Sequence, residues 1–269
     1  FSEHTNANYF LHTGFGQVGR PSMGSWINYG LGTSNQNLPG FIVLNGGLIP
    51  PGGLGCFSNG FLPATYQGSV FKYGDKPIAN IGRTEATPEL QQNKLDLIRK
   101  LDAGVVERLG RLDQVESAIA NHELAFRMQT SMPEIQDISG ETEVTRKLYG
   151  LDDAVTEDFG RQCLMARRFA ERGVRFVQVT HSDSKVQWDQ HGKLRQGHAE
   201  KAAEVDKPIA GLLYDLKARG LLEDTLIVWG GEFGRTIYSQ GKLTATNYGR
   251  DHHPRCFTVF LAGAGIKKG

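Results

Sequence analysis

Three short stretches of this chain place acids, histidines and an arginine where chemistry is possible. They are WDQHG at 188–192, GGEFGRT at 230–236 and GRDHHP at 249–254. Asp189 and His191 stand two apart, a spacing that lets one extended loop offer both to the same ion. Glu232 and Arg235 follow directly on the apolar run Leu226, Ile227, Val228, Trp229, while Asp251, His252 and His253 lead into CFTVFLAGAG. Carboxylates and imidazoles from separate loops suit a divalent metal: zinc, calcium, manganese or magnesium. Arg235 offers a planar fork for an anionic oxygen, or equally a salt bridge to Glu232 or Asp251. Each stretch alone is ordinary, because acids and histidines also cap helices and line solvated loops. Their joint placement near one sheet edge is what suggests a site.

The elements that must position these residues can be read from the apolar pattern. VRFVQVTH at 174–181, TLIVWGG at 225–231 and CFTVFLAG at 256–263 read as strands. Helical patterns precede the first two, from about Thr156 to Arg172, closed by Gly173, and from 197 to 220. Helix and strand in alternation imply an α/β fold with a mostly parallel sheet covered on both faces. Ligands of such sheets sit at the carboxyl ends of the strands. His181 and Asp183, with Asp189 and His191, follow the first of these strands; Glu232 and Arg235 follow the second.

Earlier in the chain, residues 1–86 are rich in glycine, asparagine, serine and proline and read as long loops around a few strands. Residues 87–150 read as a helical insertion, with Thr87 as N-cap, Pro88 at the first helical position and leucines at helical spacing. A 269-residue chain with 39% hydrophobic residues can bury one sizeable core, so residues 1–269 read as a single domain. The net charge of +1 gives no general reason to expect nucleic acid or an anionic membrane as partner. No apolar run approaches the roughly 20 residues of a membrane span. Cys56, Cys163 and Cys256 are widely spaced and read as buried free thiols. No P-loop, GxGxxG turn after a strand, or GxSxG elbow is present.

WDQHG, ARRFAERGVRFVQV, GGEFGRT and GRDHHP with FTVFLAGAGIK together resemble an uncharacterised bacterial sulfatase-like family of the alkaline phosphatase superfamily, as does PSMGSWINYGLGT at 21–33. The resemblance implies an alkaline-phosphatase-like three-layer α/β/α sandwich, and a chain lacking that fold's first strand and C-terminal segment. It matches Glu232 to an acid that closes a strand, with Phe233 where a histidine is usual. Asp251 and His252 match an Asp-His pair, and His191 with Asp206 a metal-binding histidine and a buried aspartate. The nucleophile position falls on His4, next to Thr5. An exported location, periplasmic or extracellular, is favoured on the same ground.

These readings combine into one expectation: a metal-dependent hydrolase of phosphate or sulfate esters, acting on a small-molecule or carbohydrate anionic ester. Asp189, His191, Glu232 and His252 would hold the metal, His253 would serve as ligand or general acid, and Arg235 would stabilise the ester oxygens. The alternative is a non-catalytic, metal-stabilised binding or surface protein on the same scaffold, favoured by Phe233 and by the lack of an obvious nucleophile. A phosphoryl mutase or transferase is a third option.

Overall fold

FIVLN, residues Phe41–Asn45, forms a strand in which all five residues are buried. An uninterrupted apolar run of this kind needs cover on both faces. The computed structural model describes residues 1–72, 82–110, 112–182, 188–241 and 243–267. Its helices in chain order are α1 (His4–Thr13), α2 (Met23–Leu31), α3 (Pro88–Leu109), α4 (Asp113–Gln136), α5 (Glu143–Leu148), α6 (Glu157–Glu171) and α7 (Leu194–Ala218). The strands are β1 (Phe41–Asn45), β2 (Ser69–Lys72), β3 (Phe176–Thr180), β4 (Leu226–Trp229), β5 (Gly234–Arg235), β6 (His252–His253) and β7 (Phe260–Gly263).

β1 lies at the centre of a parallel three-stranded sheet of order β2-β1-β3, with Val43 opposite both Val70 and Gln178. Successive side chains of a strand point to opposite faces. Ile42 and Leu44 pack with Phe71, Met128, Met132, Ile135 and Phe169, so α4 and α6 cover one face. Phe41 and Val43 pack with Cys56, Phe57 and Tyr9, which brings α1 against the other. Behind β3, α6 is tied to α7 by charge. Arg167, buried on α6, reaches Glu141 and Glu171 at 2.7 Å each and Asp215 of α7 at 3.1 Å.

Local signals behave as the sequence suggests. The Thr87 side chain accepts from the Leu90 amide, Pro88 opens α3, and Gly173 follows α6 with φ of 74°. The helical stretch after Thr87 is two helices, α3 and α4.

Other expectations need correction. Residues 1–86 contain two α-helices besides their loops; the Glu3 carboxylate caps α1 by accepting from the Thr5 and Asn6 amides. Glycine- and asparagine-rich composition hid these helices: α1 is capped by an acid, Ser22 before α2 makes no side-chain cap bond, and both helices are short. The three strands read from 174–181, 225–231 and 256–263 do not share a sheet. Only β3 joins the parallel sheet, while β4 pairs antiparallel with β7 in a separate two-stranded ribbon. The β4 run is not buried either: Leu226 is 51% and Val228 55% exposed. Apolar runs show that a segment can pair and say nothing about its partner. The described residues thus build a mixed α/β fold with a small parallel sheet, and a large central sheet of the three-layer kind is not among them. Cys56 and Cys163 are buried free thiols, but Cys256 is exposed, since the chain enters its strand only at Phe260.

Candidate metal centre

Asp189 is the residue on which the three stretches converge. Its loop, between β3 and α7, is zipped to the segment before β6: the Arg250 amide donates to Gln190 O at 3.2 Å and the Leu194 amide to Tyr248 O at 3.0 Å. Gly249 makes that approach possible, because a Cβ there would lie 2.0 Å from the His191 carbonyl carbon. β5 and β6 pair antiparallel, with Arg235 opposite His252 and Gly234 opposite His253. Directly opposed residues share a face. Arg235 and His252 therefore reach the same carboxylate oxygen, Asp189 Oδ1. His253 takes the other face, where its Nδ1 accepts from the Arg255 amide at 3.2 Å.

Around Asp189 the distances are short. His191 Nε2 and His252 Nε2 each lie 3.0 Å from Oδ1 and 3.1 Å from one another. His4, at the start of α1, places Nε2 3.2 Å from Oδ2 and Nδ1 2.9 Å from Glu232 Oε1. His4, Asp189 and His252 present ligand atoms that all lie within 4.8 Å of one another. Phe233 stacks on the His252 ring with centroids 4.3 Å apart and fixes its plane.

The protons decide what this cluster can do. His252 Nδ1 sits 2.7 Å from the Ser2 carbonyl oxygen, which can only accept, so Nδ1 carries the hydrogen. A neutral His252 then turns the Nε2 lone pair toward a carboxylate oxygen. His4 has a carboxylate on each ring nitrogen and, if neutral, a proton for only one of them. Acceptors facing acceptors at 3 Å are relieved either by extra protons on the rings or by a shared cation. Separations of 2.9–3.2 Å are those of hydrogen bonds made by protonated rings, and they also lie near the roughly 3.3 Å at which a tetrahedral ion with bonds of about 2.0–2.1 Å holds its ligands. Burial pushes the Asp189 carboxyl up, but the hydrogen bond and charge of Arg235, joined by His252 and His4 when their rings are protonated, outweigh it and hold the group down at about 2. A permanently ionised carboxylate is what a cation site requires.

Of the expected ligands, Asp189, His191 and His252 meet directly, and Glu232 joins through His4 rather than by touching Asp189. Arg235 pairs with Asp189, and neither with Glu232 nor with Asp251. Asp251 accepts from the His252 amide at 2.8 Å, a local turn contact. Asp206, implied as the buried partner of His191, is exposed on α7. His181 serves elsewhere, accepting from the Trp188 indole at 3.0 Å and meeting Glu204 at 2.9 Å. Asp183 lies outside the described residues. The member not expected as a ligand is His4, which the resemblance placed only at a nucleophile position. It is 185 residues from Asp189, and nothing in its neighbours announces a site.

Compared with known proteins, residues 1–269 match the family described as "Protein of unknown function (DUF1501)". No curated protein and no solved structure matches. The whole-chain match corrects the resemblance drawn from the motifs. It is to a family of unknown function, and nothing in it or in the fold indicates a sulfatase or the alkaline phosphatase superfamily. The roles that rested on that resemblance alone, such as a nucleophile at His4 or Thr5, go with it. Among the described residues no helix is long and apolar enough to cross a membrane.

Proposed function

The chain belongs to the DUF1501 family, whose function is unknown, so its chemistry has to be argued from its own site, and we propose that it is a metal-dependent hydrolase of phosphate or sulfate esters. The observation that carries this reading is the convergence of His4, His191 and His252 on one carboxylate. Asp189 and His252 would hold the ion, His4 and His191 would complete its coordination from either side of the carboxylate, and Glu232 would orient His4. Second-position partners of this kind fix ring orientation and raise ligand basicity. A divalent ion there would supply Lewis acidity to polarise an ester oxygen. Arg235 stands beside it as the fixed positive charge that favours an anionic substrate.

The non-catalytic reading keeps one observation in its favour. Arg235 already balances Asp189, and Phe233 braces His252, so the cluster can hold its loops together without turning anything over. Metal content per chain, measured on wild type and on His252→Ala purified without added metal, tests the centre. The expected result is near-stoichiometric metal in the first and its loss in the second. A panel of phosphate and sulfate esters with zinc, calcium, manganese and magnesium then separates the readings. Metal without turnover on that panel would move the conclusion to the binding protein, and no metal in wild type would sink the hydrolase.

A further inference from the structure

Sharing Arg235 with the cluster, an open pocket of about 360 Å³ is lined by Leu194, Arg195, His198, Arg235, Tyr248 and Arg250. Its walls carry three guanidinium groups and no carboxylate. Arg235 is committed to Asp189, its other hydrogen bonds go to the carbonyl oxygens of Trp188 and Arg250, and its guanidinium lies over the Phe233 ring. Arg195 and Arg250 are exposed, and among the described residues neither side chain has a hydrogen bond or an ion pair. Several other arginines of this protein are paired with acids, among them Arg99, Arg161, Arg167, Arg168 and Arg219, while Arg108, Arg172 and Arg175 donate to carbonyl oxygens. Two unpaired arginines facing a third around one hollow repel one another, and an anion would turn that repulsion into attraction.

The backbone adds donors to the same space. Leu194, Arg195 and His198 belong to the first turn of α7, where the Leu194 amide is taken by Tyr248 O and the Gly197 amide by Lys193 O. The amides of Arg195 and Gln196 between them have no backbone acceptor among the described residues. Burial first, and then the charges of Arg235 and Arg250, push His198 below its ordinary value, which marks how positive the hollow is. Lys193, just before the helix, is held at a φ of 49°, a conformation L-residues rarely adopt, and its amide is tied to Asn247 Oδ1 at 2.9 Å. The loop that sets this turn opposite Arg250 is therefore built rather than slack.

We propose that this pocket is an oxyanion subsite, gripped by Arg195 and Arg250, that receives a second, non-reacting phosphate or sulfate group of the substrate. It rests on the hydrolase reading only for what enters: the substrate class becomes an ester with one anionic group at the cation centre and another in the arginine pocket, with Arg235 between them. Paired guanidinium forks suit this role because each offers two parallel N–H donors to a tetrahedral oxyanion.

The test uses inorganic phosphate as the probe. Its binding to the full 269-residue chain is measured by calorimetry at low ionic strength, after chelator treatment and again with metal restored, for wild type, Arg195→Gln, Arg250→Gln and the double variant. Both positions are exposed, so neither substitution removes core packing. The expected result is binding to chelator-treated wild type, weakened about tenfold by each single substitution and abolished in the double variant, as loss of a charge-assisted contact implies. Metal content should be the same in all four proteins. No binding to the chelated wild type overturns the proposal, and so does binding that the arginine substitutions leave unchanged. Phosphate that binds only when metal is restored, whatever the arginines, sits on the ion and overturns the subsite while sparing the metal centre. Phosphate binding by the arginines in a protein that never holds metal would keep the subsite and sink the hydrolase.

Discussion

Arg167→Met should be among the most damaging single substitutions in this protein, and the size of the effect follows from the network it leaves behind. Arg167 is 3% exposed and bridges Glu141, 8% exposed, to Asp215, 9% exposed, and to Glu171. Removing one partner of a buried pair costs about 3–5 kcal/mol, because the remaining charge stays desolvated. Here each orphaned carboxylate keeps one arginine: Arg168 stays on Glu141, and Arg219 on Asp215 and Glu171. Methionine also fills much of the volume. The loss should therefore sit at the low end, about 3 kcal/mol. For a chain of this size that corresponds to a thermal midpoint lower by roughly 6–12 °C.

The pH dependence gives an independent check on the same residue. Burial pushes the Glu141 carboxyl up, but the hydrogen bonds and charges of Arg167 and Arg168 outweigh this and hold it below the ordinary carboxylate value. A depressed carboxyl contributes stability that is present above its unfolded value and is lost as pH falls below it. Without Arg167 that contribution shrinks, so the gap between wild type and variant should narrow from pH 7 to pH 4. Urea unfolding at both values measures it. A loss under about 1 kcal/mol at pH 7, or a gap that does not change with pH, would refute the reasoning.

Two further predictions concern the site loops. Gly249→Ala removes no ligand, yet its Cβ would fall 2.0 Å from the His191 carbonyl carbon and force the 188–193 loop away; metal affinity should drop by at least tenfold, the scale of orienting partners, as read by competition with a chromophoric chelator. In the native protein at pH 7.5 only one thiol, Cys256, should react quickly with a thiol reagent, because Cys56 is buried and raised to about 11 and Cys163 is buried and raised further. Mass spectrometry of the labelled peptides checks the assignment, and rapid labelling of Cys56 would contradict the packing of Tyr9 and Phe57 against it.

What the sequence determined by itself was local. Thr87 with Pro88 starts a helix, Gly173 ends one in a left-handed turn, and FVQVT and LIVW extend, because capping, φ > 0 and apolar runs act within a few residues. The three polar stretches were legible as site material for the same reason, since acids and histidines beside strand ends are visible in order along the chain. Tertiary structure decided everything that depends on partners. The run LIVW carries no mark saying that it pairs with FLAG in an exposed ribbon rather than beside FVQVT. His252 and His253 have the same chemistry, and only the pairing of β5 with β6 turns the first toward Asp189 and the second away. His4 enters the cluster because α1 packs against the sheet face that carries Phe41 and Val43. That placement is set by side chains far from His4 in the chain, so local sequence could not hold it.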